Sequence, residues 1–218
     1  MSNKAETVHE ATIGAFFSKD ETGPDQLHSE SWEKAQPVPI KKFWSGEMAP
    51  SHRHAEAQIL WSDESLSVRF VGRQIEPLIV NSNPKVDQKT IGLWDRDVCE
   101  IFLAPDPNRP QRYFEFEAAP TGEWVDLGIL ITPEGRETDS GFLSGMSVET
   151  RVGENQIVVL MRIPWSESLP KPRKGDTWRC NLFRCVGTGN ERYLAWQPTY
   201  TPEPYFHVPE VFGRLDFD

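Results

Sequence analysis

The sequence has no long apolar run and few basic residues. No stretch approaches the roughly 18 apolar residues that a membrane-spanning helix needs, and the first ten residues contain no apolar signal-peptide core. Its 23 Lys and Arg stand against 33 Asp and Glu, for a formal net charge of -10. Because nucleic acid and anionic membranes are bound through clustered Lys and Arg, we expect neither as a partner. The sequence predicts a soluble cytoplasmic protein, unless a leader was removed.

Cysteine is also scarce, and the common catalytic motifs are missing. The three cysteines, Cys99, Cys180 and Cys185, are an odd number and form no CxxC pair. This spacing predicts buried thiols rather than a disulfide framework or a zinc knuckle. No nucleophile elbow, Walker loop or dinucleotide fingerprint occurs in a suitable context. We therefore predict no catalytic residue from the sequence.

No segment sustains a helical apolar period, whereas short alternating segments bounded by Pro and Gly are frequent. We predict an all-β fold: an antiparallel β-sandwich of jelly-roll type with eight to ten strands and one or two short helical turns, one of them at PWSESL (164–169). Residues 1–29 are predicted as an N-terminal extension with an edge strand at 11–17, and residues 30–218 as one domain. Residues 73–93 and 132–146 are predicted as loops.

Three consecutive predicted strands, in VCEIFLAP, RYFEFEAAP and EWVDLGILI, carry acidic residues among apolar ones. Alternation places Cys99, Ile101 and Leu103 on one face of the first strand and Glu100 on the other. If the strands are neighbours, one face gathers four acids and three aromatic residues: Glu100, Glu115, Glu117, Asp126, Trp94, Tyr113 and Trp124. This face is either a solvated sheet surface or a sugar site, since carboxylates accept from hydroxyls and aromatic rings stack on sugar rings.

Other chemistries remain open for the same residues. Glu115 and Glu117 point the same way along one strand, as a glycosidase pair could. The acids could also hold calcium through oxygen ligands, although the spacing is not that of an EF-hand loop. His52 and His54 are expected in a loop without a third metal ligand, and His207 is expected to be structural.

Several segments together resemble carbohydrate-binding module family 9, which is related to DOMON domains. They occur in the family's order over residues 30–217 and comprise WEKA (32–35), LWSDESLSVRF (60–70), LWDRDVCEIFLAP (93–105), RYFEFEAAPTGEWVD (112–126), RIPWSESL (162–169), GDTWRCNLFR (175–184) and FHVPEVFG (206–213). The resemblance implies a jelly-roll β-sandwich in which a sugar lies in a slot between two aromatic side chains.

The resemblance also implies site residues. Trp94 and Glu100 match the spacing of a family aromatic and its hydrogen-bonding acid. Trp196 is the favoured second aromatic, ahead of Phe206, with Tyr205 also available. Where the family has an arginine and an asparagine, this chain has Glu115 and Glu117, so Arg184 or Arg69 is expected to supply the cation, with Asn181 beside Arg184.

The predicted function is noncatalytic binding of a mono- or oligosaccharide, in the service of carbohydrate catabolism. Two alternatives stay open. One is a β-sandwich glycoside hydrolase that uses a Glu pair, and the other is a structural or interaction module that has lost sugar binding. No cofactor is predicted apart from the calcium considered above.

Overall fold

A computed structural model describes residues 11–19 and 26–218, so residues 1–10 and 20–25 of the predicted extension lie outside it. The described part contains fourteen strands rather than eight to ten: β1 (Thr12–Phe17), β2 (Val38–Ile40), β3 (Lys42–Phe43), β4 (Ala55–Trp61), β5 (Ser65–Arg73), β6 (Val98–Ala104), β7 (Arg112–Ala118), β8 (Trp124–Thr132), β9 (Gly135–Asp139), β10 (Ser147–Val152), β11 (Gln156–Pro164), β12 (Thr177–Cys185), β13 (Tyr193–Ala195) and β14 (Gly213–Phe217).

The helical parts of residues 11–19 and 26–218 are six short 3-10 turns: Gln26–His28, Glu30–Lys34, Ser51–Arg53, Leu93–Asp95, Asn190–Arg192 and Pro209–Val211. The helical turn predicted at 164–169 was wrong. Pro164 ends β11, and the Ser166 backbone N–H closes a turn onto the Leu169 carbonyl. Within the same described ranges, no helix is long and apolar enough to cross a membrane.

The strands form two facing sheets that share β1. The front sheet has the order β9-β8-β7-β6-β12-β14-β1, with β13 beside β12 and β3 beside β13. The rear sheet has the order β10-β11-β5-β4-β1, with β2 beside β4. Residues 12–15 of β1 pair with β14, and Phe16 and Phe17 pair with β4, in both cases parallel. The edge-strand prediction for 11–17 was therefore wrong, because β1 lies between two strands and joins the sheets.

The main core lies between the two sheets. Cys99, Ile101 and Leu103 of β6 face it, as alternation predicted, together with Phe70 of β5 and Met161 of β11. All five side chains are buried. Their removal from water is the largest favourable term that holds the sandwich together.

A second apolar cluster covers the outer face of the front sheet. It joins Val98 and Phe102 of β6 to Leu93 of the loop before it and to Phe206 and Phe212 of the segment before β14. This face is therefore not solvated. The loop predicted at 73–93 and the segment 196–212 cover it, and an open space between them forms the candidate site.

Candidate functional site

A pocket of about 230 Å³ opens on the outer face of the front sheet. Its floor comes from adjacent strands, and its rim comes from the 3-10 turn at Leu93–Asp95, from β9 and from the segment before β14. The lining residues are Trp94, Glu100, Phe102, Glu115, Glu117, Leu127, Arg136, Thr138, Cys185, Tyr193, Pro204, Tyr205, Phe206 and His207. The volume is below the range of drug-sized sites, which suits a ligand of about one sugar ring.

Two half-exposed aromatic side chains stand at the rim. Trp94 is 38% exposed and Tyr205 is 42% exposed. Phe206 also lines the pocket, but its ring is stacked on Phe183 with centroids 4.0 Å apart and is buried. Trp94 and Tyr205 are therefore the most exposed aromatic rings of the pocket lining, and both can stack on a ligand.

Three buried carboxylates form the floor. Glu100 of β6 lies directly opposite Glu117 of β7, and Glu115 lies two residues along β7 on the same face. One carboxylate oxygen from each lies within 4.8 Å of the other two. Like charges opposite one another in a sheet repel, so this arrangement destabilises the protein unless protons or a ligand compensate.

The hydrogen bonds of the protein satisfy this cluster only in part. The Cys185 thiol donates to Glu100 Oε1 at 3.4 Å. Among the described residues, no N–H, hydroxyl or thiol group donates to either oxygen of Glu117 or to Oε2 of Glu115, although the Glu115 and Glu117 carboxyl groups share a side-chain hydrogen bond with each other. Buried polar atoms without partners are rare in folded proteins, and one proton shared by Glu115 and Glu117 satisfies at most two of these three oxygens.

Burial raises the pKa of all three acids. Removal from water, with the Glu115 charge as a smaller cause, raises the pKa of Glu100 to about 8. Burial likewise raises the pKa of Glu115 and raises that of Glu117 well above its ordinary value. At neutral pH Glu100 thus keeps a proton that an ordinary glutamate would have released.

His207 lies at the edge of the cluster. Its Nδ1 is hydrogen-bonded to the Tyr113 hydroxyl at 2.8 Å and lies 4.0 Å from Glu115 Oε2. Burial lowers the His207 pKa to about 3, so the ring is neutral. His207 is a satisfied histidine, as expected, but it also lines the pocket.

Two arginines contribute positive potential without a direct ion pair to the floor. Arg136 of β9 lines the rim and is exposed, and its charge lowers the pKa of Glu115. Arg192 donates to the backbone carbonyls of Asp95 and Arg96, and its charge lowers the pKa of Glu100. The loop predicted at 132–146 was wrong in part, because β9 lies there and carries Arg136.

Asp97 fixes the loops around the pocket. Its buried carboxylate accepts from the backbone N–H groups of Ile79 at 3.2 Å and Gly187 at 3.0 Å. Burial raises the Asp97 pKa, while these two hydrogen bonds oppose the rise. Asp95, by contrast, is exposed beside Trp94, and its backbone carbonyl accepts from Arg192.

Of the seven site residues predicted from the sequence, four line this pocket: Trp94, Glu100, Glu115 and Glu117. The other three lie elsewhere. Arg184 points to the opposite face of β12, where its guanidinium donates to the carbonyls of Arg53, His54 and Arg73. Arg69, the other candidate cation, lies over the Trp32 ring outside the rear sheet.

Asn181 and Trp196 have packing roles. The Asn181 amide donates to the Gln197 carbonyl at 2.8 Å and accepts from the Gln197 N–H at 3.0 Å. The Trp196 ring packs against the main core and over Gly213, where any side chain would overlap it. Trp196 therefore lies outside the pocket lining, and Tyr205 is the aromatic side chain exposed at the rim together with Trp94.

The placement of Asp126 and Trp124 with the other acids was wrong. In the pairing of β7 with β8, Asp126 lies opposite Phe116, and Glu117 lies opposite Val125. Asp126 therefore shares the inner face of the sheet. There it pairs with Lys89 Nζ at 2.8 Å and accepts from Ser144.

Two groups of residues were considered for metal binding. The Glu100, Glu115 and Glu117 oxygens are close enough together to ligate one cation, and oxygen is the donor that calcium takes. His52 and His54 do not converge, because His52 Nε2 lies 3.1 Å from Glu76 Oε1 and the His54 ring donates to the Ala49 carbonyl.

Together, the two facing sheets and a small pocket with aromatic rims define a β-sandwich ligand-binding module. The chain belongs to the carbohydrate family 9 binding domain-like family, whose model matches residues 25–218. The resemblance to carbohydrate-binding module family 9 is confirmed. Membership supports a noncatalytic sugar-binding role.

Solved structures share the fold. A candidate carbohydrate-binding protein of Bacteroides uniformis superposes with a TM-score of 0.75 at 18% identity, covering 96% of this chain and 100% of that one. A family 9 module of Caldicellulosiruptor kristjanssonii in complex with glucose gives 0.64 at 15%, covering 94% and 95%. The same organism's module with cellotriose gives 0.62 at 16%, covering 95% and 94%. A search of the curated proteins gives no match.

Proposed function

We propose that this protein is a noncatalytic carbohydrate-binding domain that holds one sugar ring, free or at the end of a chain, in the outer pocket of the front sheet. The observation that carries the proposal is the pairing of half-exposed Trp94 and Tyr205 with buried hydrogen-bonding groups in one pocket of a family 9 fold. The aromatic rings cover the apolar faces of the sugar, and Glu100 accepts from a hydroxyl.

Glycoside hydrolysis suits this floor less well. A retaining glycosidase needs one ionised carboxylate as nucleophile and one protonated acid. Here burial raises the pKa of all three acids in the same direction. Burial therefore works against the ionised carboxylate that a nucleophile must be, and the family to which the chain belongs is one of binding domains. Absence of aryl-glycoside hydrolysis by the purified protein is the expected result.

Titration with simple sugars, followed by intrinsic tryptophan fluorescence and calorimetry, tests the proposal. Stacking with a few hydrogen bonds gives a Kd of roughly micromolar to millimolar. Trp94→Ala should weaken binding by about tenfold or more, and Trp94→Phe, which keeps a ring, should weaken it less.

Tyr205→Ala should also weaken binding, whereas Tyr200→Ala should not, because Tyr200 is also an exposed tyrosine but lies outside the pocket lining. If no sugar binds the wild-type protein at millimolar concentration, the proposal fails. If sugar binds and all these variants bind it unchanged, the binding site lies elsewhere.

A further inference from the structure

We infer that the preferred ligand is an amino sugar with a free, protonated amine, whose ammonium group sits among Glu100, Glu115 and Glu117. The inference rests on the proposed function and specifies its ligand. It is carried by the three acids of the floor, which lie together with fewer donors than acceptor oxygens.

The acids are built into the fold rather than scattered on its surface. Glu117 is fully buried, and Glu100 and Glu115 are nearly so. All three line the pocket, so the unpartnered oxygens of Glu115 and Glu117 belong to side chains that border the space a ligand would occupy. Unpartnered buried oxygens at the floor of an open pocket indicate a ligand that donates hydrogen bonds to them.

A neutral sugar meets this requirement poorly. Each hydroxyl brings one donor and also an acceptor oxygen, which needs a donor of its own. At the floor, the Cys185 thiol already donates its hydrogen bond to Glu100. Arg136 lies at the exposed rim and not at the floor. An ammonium group brings three N–H donors, a positive charge and no acceptor.

The spacing fits that group. A triangle with sides of at most 4.8 Å has its centre within about 2.8 Å of each corner, which is the length of a charge-assisted N–H···O bond. One N–H can then reach each carboxylate, while the sugar ring extends toward Trp94 and Tyr205. Any carboxyl group that ionises when the ammonium binds releases its proton to solvent.

Other charged or titratable groups surround the floor without filling it: Asp95, Tyr113, Arg136, Cys185, Arg192, Tyr193, Tyr205 and His207. The two arginines oppose the binding of a cation, but within residues 11–19 and 26–218 neither makes an ion pair with the three acids. No cation of the described residues therefore occupies the place of an ammonium group, whose charge would favour ionisation of the acids around it.

Calorimetric titration of the whole chain with glucosamine, glucose and N-acetylglucosamine tests the inference. Glucosamine should bind about tenfold or more tightly than the other two, since a charged hydrogen bond to a buried acid contributes more than a neutral one. Equal affinities for glucosamine and glucose would overturn the inference and leave the proposed function standing. Binding of none of the three would overturn both.

Titration with two further ligands distinguishes an amino sugar from a simple amine and from a metal cation as the occupant of the pocket. Ethanolamine has the amine but no ring to stack, and binding as tight as that of glucosamine would show a plain ammonium site and overturn the inference. Calcium chloride alone should give no saturable heat. Calcium binding, or sugar binding only when calcium is present, would identify a cation site and overturn the inference.

Glu117→Gln keeps the size of the side chain and removes its charge, so it should abolish most of the preference for glucosamine over glucose. Glu134→Gln is the matched control, because Glu134 is exposed and lies outside the pocket lining. Circular dichroism and thermal unfolding confirm that both variants fold. A folded Glu117→Gln protein with the full wild-type preference would refute the placement of the amine.

Discussion

Glu100→Gln should make the free protein more stable at alkaline pH. Between its ordinary value of 4.5 and the folded value of about 8, the unfolded chain has released a proton that folded Glu100 keeps. The unfolded state then binds fewer protons than the folded state, so the free energy of unfolding falls as pH rises. The fall is about 1.4 kcal/mol per pH unit.

Between pH 4.5 and about pH 8 the free energy of unfolding of the wild-type protein falls by about 5 kcal/mol in total. This is a large fraction of the stability of a typical domain. Glutamine has no proton to release, and its Oε1 can still accept from the Cys185 thiol. The variant should therefore match the wild type near pH 5 and exceed it by up to about 5 kcal/mol near pH 8.

Urea unfolding of both proteins across this pH range measures the difference directly. Glu134→Gln, at an exposed position, should follow the wild-type curve. If the wild-type and Glu100→Gln curves run parallel from pH 5 to pH 8, the pKa of Glu100 is not raised, and the argument for an uncompensated buried cluster is wrong.

Two further predictions separate structural residues from ligand contacts. Asp97→Ala leaves the buried N–H groups of Ile79 and Gly187 without an acceptor, so thermal unfolding should show a loss of about 2 kcal/mol or more; an unchanged Tm would contradict the loop-fixing role. Arg184→Met removes the donor for several backbone carbonyls and should lower stability by about 3 kcal/mol while leaving sugar affinity unchanged. Weakened sugar binding at unchanged stability would place Arg184 in the site.

The faces of single strands could be predicted from the sequence. Alternation along β6 placed Ile101 in the core and Glu100 on the opposite face, and both positions are confirmed. The same reasoning brought Glu115 and Glu117 to Glu100, because β7 is the sequential neighbour of β6. Side-chain alternation is fixed by the backbone, so it carries over from sequence to structure.

The register between strands could not be predicted. Asp126 was placed with the acids, but the pairing of β7 with β8 sets it opposite Phe116 on the inner face. A shift of one residue moves every side chain of a strand to the other face. The length of a turn such as residues 119–123 does not reveal that shift.

The long-range contributors to the pocket were also missed. β9 is exposed and polar, so it has no apolar alternation, yet it brings Arg136 to the rim. Tyr205 comes from a segment without regular structure far along the chain. The run YFHVP offered several aromatic residues, but only the packing of Phe206 on Phe183 shows which ring stays free.

The structure of the protein soaked with glucosamine tests the central claim most directly. The account predicts one sugar ring in the pocket, in contact with Trp94 and Tyr205, with its amine nitrogen within hydrogen-bond distance of Glu100, Glu115 and Glu117. A sugar bound on another surface, or a pocket left empty at saturating sugar, would contradict it.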